Sequence, residues 1–124
     1  MKAADFAQYL DDQGHGTLGT DIFYSHQPDT PDTCITVLDT GGLEPNRYLP
    51  HADPTFQVIV RDTTYDAAET VADAIVDTLH QTKHVTIGSE YHYFIFLMSE
   101  PVALGRDANG RDEISINFIT RHRR

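Results

Sequence analysis

The chain lacks most of what several protein classes are built from. It has no tryptophan and a single cysteine, Cys34, in 124 residues. An internal disulfide framework is thereby excluded, and a reducing, cytosolic site of synthesis is expected. No charged segment followed by an apolar one opens the chain, as a secretion signal would. The longest apolar run, Tyr93–Met98, is far short of the roughly 20 residues that a spanning helix needs, so no membrane partner is expected. Lysine is scarce too, occurring only as Lys2 and Lys83.

What is abundant is negative charge. Nineteen acidic residues stand against nine basic ones, giving a net charge of −10, and 14 of the acidic residues are aspartate. Such a body repels free nucleic acid, whose binding rests on Lys and Arg neutralising phosphates, and no sequence-specific nucleic-acid partner is expected. The same charge keeps a protein in solution. It is also tolerable in molar salt, where the Debye length falls to about 3 Å. The positive charge is lopsided, with Arg121, Arg123 and Arg124 gathered at the end of the sequence. On so acidic a molecule, that tail has a ready partner in an identical neighbour.

Periodicity gives the elements. Ala3, Phe6, Ala7 and Leu10 recur at helical spacing within 2–12, and Gly14 is a fit stop. Asp21–Gln27 and Thr33–Asp39 read as an antiparallel strand pair across a Pro-Asp-Thr-Pro connection. Thr40–Asp53 has two glycines, two prolines and few apolar residues, which marks a long loop, either disordered or ordered by a partner. Thr55–Arg61 alternates strictly, with Phe56, Val58 and Val60 on one face. The strongest helix spans about Tyr65–Gln81. Ala68, Val71, Ala72, Ile75 and Leu79 form its buried stripe and Asp66, Glu69, Asp73 and Asp77 its exposed side. Thr63 or Thr64 suits its N-cap, and His80, Lys83 and His84 its negative end. Val85–Ile87 is a short extended piece. Glu90–Ser99 is apolar on both faces, as in a central strand covered on each side. Asn109-Gly110 signals a hairpin, and Glu113–Thr120 turns Ile114, Ile116 and Phe118 inward. The whole reads as one domain over 1–124, of the α+β class, with two helices packed on a mostly antiparallel sheet.

No catalytic constellation emerges. His80 and His84 stand four apart near a helix end, but no cysteine or third ligand accompanies them, so no metal is assigned. Asp107-Ala-Asn-Gly-Arg-Asp112 has its glycine at the fourth position and no closing glutamate, unlike a calcium loop. Cys34 lies mid-strand, where thiols are buried and inert, and Ser25, Ser89, Ser99 and Ser115 lack an elbow motif or a nearby base. Gly14, Gly16 and Gly19 match Gly-x-Gly-x-x-Gly between a helix and a strand, the reverse of the order a dinucleotide site needs. Neither a cofactor nor an enzymatic activity is assigned.

The ordered set Phe56-Gln-Val-Ile-Val-Arg-Asp62, the helix Tyr65–His80, Gly88, the aromatic strand, Ser99-Glu-Pro-Val-Ala-Leu-Gly-Arg-Asp107 and Asn109-Gly-Arg-Asp-Glu-Ile-Ser-Ile-Asn-Phe118 resembles the tail terminator and minor capsid proteins of long-tailed bacteriophages. The likeness spans roughly Pro54 to Arg121. It implies an α+β subunit that forms a hexameric ring on the last ring of the tail tube, ends tube polymerisation and offers its other face to the head connector. Its partners would be further copies of itself, the tube protein and a head-closure or connector protein, with viral DNA passing through the ring. Its location would be the neck of a virion, after synthesis in a host cytoplasm.

A ring needs one patch to meet a different patch on the next copy. Asp73 and Asp77 on the acidic helix face and Arg121, Arg123 and Arg124 at the end of the sequence are candidates for such a pair. Arg106, Asp107, Asn109 and Arg111 in the hairpin, together with the Thr40–Asp53 loop, are candidates for contact with tube or connector. A head-closure or neck connector role meets the same demands and stays open. So do a small ligand-binding domain, which would need a pocket, and a host-side binding module.

Overall fold

A computed structural model describes residues 2–45 and 47–124. Helix α1 (Ala3–Asp12) is followed by strands β1 (Ile22–Tyr24), β2 (Cys34–Gly42), β3 (His51–Ala52) and β4 (Pro54–Asp62), then helix α2 (Tyr65–Leu79) and strands β5 (Thr82–Ile87), β6 (Glu90–Leu97), β7 (Val102–Arg106) and β8 (Asp112–Arg123). The strands form one sheet in the order β1-β2-β4-β8-β6-β5, with β3 and β7 also pairing with β8. Strand β8 is thus flanked along its length, by β4 and β3 on one side and by β7 and β6 on the other. All pairings are antiparallel except β1 with β2.

Alternation in β4 and β8 builds the core. Phe56 lies opposite Phe118, Val58 opposite Ile116 and Val60 opposite Ile114, so three cross-strand apolar pairs share one face. Onto that face pack Phe6, Ala7 and Leu10 of α1 and Ala68, Ala72, Ile75 and Leu79 of α2, all buried. The Phe6 and Phe56 rings are 4.3 Å apart and the Phe56 and Phe118 rings 5.2 Å. Each such side chain contributes about 1.5–3 kcal/mol on burial. Helix α1 touches β1 and β2 at one end of the strand order and β5 at the other, so the sheet curls around it. Gly88, in the β5–β6 turn, has φ of +62° and stands so close to the Asp5 carboxylate that a Cβ would fall 2.4 Å from it. Helix α2 starts where Thr64 Oγ1 accepts the Ala67 N–H at 3.2 Å, a cap worth about 1 kcal/mol.

Four expectations need correction. The pair β1–β2 is parallel, Ile22 facing Ile35 and Tyr24 facing Val37. Its connection, 25–33, is held by two arginines distant in sequence. Arg61 donates from Nη2 to the Pro31 carbonyl at 2.6 Å and from Nε to that of Asp32 at 3.3 Å, and Arg111 Nη1 donates to the Asp29 carbonyl. These bonds lead the chain back to the start of β1 before β2 begins. Second, the 40–53 stretch is a loop only in its middle, its two ends being strand. Strand β2 continues to Gly42, Leu43 N–H donates to Asp53 O at 3.0 Å and β3 pairs with β8, leaving only 43–50 outside the ladders.

Third, α2 ends at Leu79 with no basic residue in its last turn. Gln81 takes φ of +63° and sends the chain straight into β5, which carries Lys83 and His84 away from the helix end. The Nδ1 of His80 instead accepts the Leu97 N–H at 2.9 Å. Fourth, β6 is covered on one face only. His92 and Ile95 are buried, while Phe94 and Phe96 stack at 4.8 Å on the other face and are only partly buried.

Candidate functional site

The candidate contact residues fall into two groups at opposite ends of β8. Nine steps separate Asp112 from Arg121, about 30 Å at a strand's ~3.3 Å rise. Before Asp112 lies the 107–111 turn, closed by Asp107 N–H to Arg111 O at 2.9 Å and Gly110 N–H to Asp107 O at 3.1 Å. The Asp107 carboxylate accepts from the Asn109 and Arg111 N–H groups at 2.9 and 3.0 Å and from Arg111 Nε at 2.8 Å. The Arg111 backbone bond, then that of Asn109, hold its carboxyl below the usual carboxylate range. Arg111 is itself buried and also reaches Asp29 and Asp32, so its guanidinium is consumed inside the subunit. Arg106, exposed, lies 3.6 Å from Asp112.

At the other end, the arginines are part of the sheet and not a free tail. Arg123 faces His51 and His122 faces Ala52, and Arg124 N–H donates to Pro50 O at 2.9 Å. Arg121 grips Asp53 with both nitrogens, Nε to Oδ1 at 2.7 Å and Nη2 to Oδ2 at 3.1 Å, and its guanidinium lies 5.3 Å from the Phe94 ring centre. The hydrogen bond from Arg121 holds the Asp53 carboxyl below its ordinary range. Arg123 sits 4.9 Å over Tyr91 and is exposed, as is Arg124.

A buried titratable group lies beneath this end. His92 is fully buried. Thr120 Oγ1 donates to Phe94 O at 2.9 Å and therefore accepts from His92 Nδ1–H at 2.6 Å, which fixes the tautomer. Nε2 has no hydrogen-bond partner among the described residues, and the imidazole lies edge-on to the Phe6 ring, centre to centre 5.2 Å. Burial pushes the pKa from 6.5 down to about 4. His122, 5.6 Å away ring to ring, lies 3.3 Å from Glu90. His84 is elsewhere, with Nδ1 2.7 Å from the Tyr91 hydroxyl. Among the described residues, no three His, Cys, Asp or Glu side chains converge as a metal would need. Cys34 is buried, and burial raises its thiol pKa despite the opposing charge of Arg61.

Asp73 and Asp77 lie with Asp66 and Glu69 on the exposed side of α2. The helix follows β4 directly, so Asp66 and Glu69 sit toward the turn end, where Asp29 and Asp32 are exposed as well. One end of the subunit is therefore acidic and the other carries Arg123 and Arg124. Two surfaces show apolar side chains to solvent, one inside the Thr40–Asp53 stretch that the sequence offered as a contact candidate and one that it did not mark. The described residues of 43–50 form an arm bearing Leu43, Tyr48 and Leu49, which are 62, 92 and 56% exposed. Beside the outer edge of β1 runs an open groove of about 490 Å³ lined by Leu18, Ile22, Phe23, Tyr24 and His26. Neither shows periodicity, so only their Leu, Phe and Tyr content could have pointed to them.

A curled sheet with helices on one face, charges of opposite sign at its two ends and apolar side chains left in solvent define a structural subunit built to meet other proteins. The chain belongs to the bacteriophage tail terminator protein family, whose model matches residues 9–122. The match reaches well before Pro54 and takes in the arm and the groove. The fold is shared over nearly the whole chain with a solved chain from the virion of a native gene transfer agent particle, at a TM-score of 0.74 and 15% identity, covering 98% of this chain and 96% of that one. A second solved chain superposes at a TM-score of 0.58 and 16% identity, covering 94% and 91%. No curated protein matches it in sequence. By its family the protein is a structural component of a phage tail, and that family is not one of enzymes. Among the described residues, no helix is long and apolar enough to cross a membrane.

Proposed function

We propose that the protein forms a ring, of six copies, at the head-proximal end of the tail tube, where it stops tube growth and joins the tail to the head connector. Beyond the family membership, the observation that carries this reading is the polarity of the subunit. Exposed Arg123 and Arg124 stand at one end of β8 and Asp29, Asp32, Asp66 and Glu69 toward the other. Opposite charges at opposite ends favour head-to-tail contact, and a head-to-tail contact closes into a ring when its rotation permits. In this reading Asp73 and Asp77 line the acidic side of that contact, Arg121 holds the sheet behind Arg123, and Arg106 and Asn109 of the turn face tube or connector.

The test adds the protein to polymerising tube protein of the same particle. Growth should stop, with six copies at one end of each tube by electron microscopy and native mass. Tubes that elongate undiminished, with none of the protein at their ends, would refute the proposal. Charge reversal of Arg123 and Arg124 to glutamate should lower ring occupancy at 0.1 M salt by about tenfold, the scale of one lost charge pair of ~1.4 kcal/mol.

A further inference from the structure

We infer that the 43–50 arm of one copy seats its Leu43, Tyr48 and Leu49 side chains in the β1-edge groove of the next copy. This deepens the ring reading and rests on it. Three side chains at 62, 92 and 56% exposure present an apolar patch of a few hundred Å², a tyrosine alone offering about 150–250 Å², and patches of that size mark interaction sites. The groove offers the complementary chemistry, an apolar trough of about 490 Å³ walled by Leu18, Ile22, Phe23 and Tyr24.

A subunit's own arm points away from its own groove. Strand β1 ends level with Val37, and β2 runs five residues further, Leu38 to Gly42, before the arm begins. That is about 17 Å of strand at ~3.3 Å per residue, and the arm is rooted beyond it, where β3 pairs with the far end of β8. The occupant must come from another molecule.

Charge selects a second copy. In a chain of net charge −10, most surfaces of two copies repel. The arm is an exception, since Arg47 and Glu44 pair at 3.0 Å and cancel. So is the groove, whose lining residues Leu18, Gly19 and Ile22 to His26 include no carboxylate. Around these two neutral patches the signs are opposite. The arm is rooted beside Arg121, Arg123 and Arg124, and the groove opens beside the 25–33 connection with its exposed Asp29 and Asp32. Head-to-tail docking brings apolar to apolar and cation to anion together.

The test links neighbours chemically. Arg47→Cys, next to the anchor, and His26→Cys, at the groove's end, are made in chains with different tags. A short bismaleimide is then applied to the mixture, both free and bound at tube ends, with the wild type as control because Cys34 is buried. The mixture should yield at least tenfold more linked product than either variant alone, and adding Tyr48→Ser to the Arg47→Cys chain should abolish that excess. Arm-to-arm links, links to tube protein in place of a second copy, or no excess in either setting would overturn the inference. The number of copies at each tube end, counted in the same samples, judges the ring reading separately.

Discussion

Two protrusions leave the sheet from opposite ends of β8, and they are built in opposite ways. The 107–111 turn is polar and closed on itself, with the Asp107 carboxylate accepting three hydrogen bonds and Arg111 spending its guanidinium on Asp107, Asp29 and Asp32. The 43–50 arm is apolar and open, showing Leu43, Tyr48 and Leu49 to solvent. Side chains whose hydrogen bonds are satisfied internally stabilise the subunit and have little left to offer a partner. Exposed apolar area does the reverse, contributing little to the fold and favouring association. The charged turn is therefore a clasp, and the arm, neutral overall, is the adhesive part in the proposed assembly.

The largest test of this contrast is Arg111→Ala. It strands the Asp107 carboxylate and frees the 25–33 connection at the Asp29 carbonyl, and the expected outcome is a fall in Tm on the order of 10 °C. A melting curve that is unchanged would mean that the turn is ornamental and the comparison false.

Acid should separate the two ends. His92 has a folded pKa of about 4 against 6.5 unfolded, so between those values the unfolded chain binds more protons and stability falls with falling pH. Stability is full above 6.5 and is lost progressively toward 4, by on the order of 2 kcal/mol. Glu90 and His122 face this group from β6 and β8, and the loss should therefore loosen the arm end first. At the turn, Asp107 has a depressed carboxyl. Its contribution is present above the ordinary carboxylate range and disappears only as pH falls through its lower folded value. Denaturant unfolding at pH 7 and 4.5, with hydrogen exchange to locate the loosening, checks both, and His92→Phe should flatten the window between 6.5 and 4.

Arg121→Ala removes the bidentate grip on Asp53 at the arm's root. Arg121 is 39% exposed in its side chain, so solvent screens the pair and the cost should be only about 1 kcal/mol by chemical denaturation. The smallest stability effect belongs to the double change Tyr48→Ser, Leu49→Ser. Within about 0.5 kcal/mol of wild type is expected, and a subunit that melted several degrees lower would show the arm to be part of the fold after all.

Much of the fold was legible because it rests on local period. Strand β4, helix α2 and strand β8 follow from the spacing of Phe56, Val58 and Val60, of Ala68, Ala72, Ile75 and Leu79, and of Ile114, Ile116 and Phe118, and the structure places these side chains in one core. The direction of β1 against β2 was not legible. It is set by Arg61 and Arg111, whose partners at Asp29, Pro31 and Asp32 lie some 30 and 80 positions away. Charge also misled at the contact residues. Arginines are read as exposed by default, yet Arg111 is buried and Arg121 is held by Asp53, 68 residues distant. The arm was read as a loop poor in apolar residues because Leu43, Tyr48 and Leu49 are scattered among glycine, proline and charge.

Strand β8 has a temporal consequence. It is the bridge between β1-β2-β4 and β6-β5, and it follows in sequence every strand it joins. A ribosome delivers residues at about 5–20 per second, N-terminal segments first, so those two half-sheets emerge with unpaired edges and no shared neighbour. Only when residues 112–123 arrive can the core close, through contacts distant in sequence and correspondingly slow to form. In the proposed assembly, the arm and the groove thus come into register only once β8 has paired.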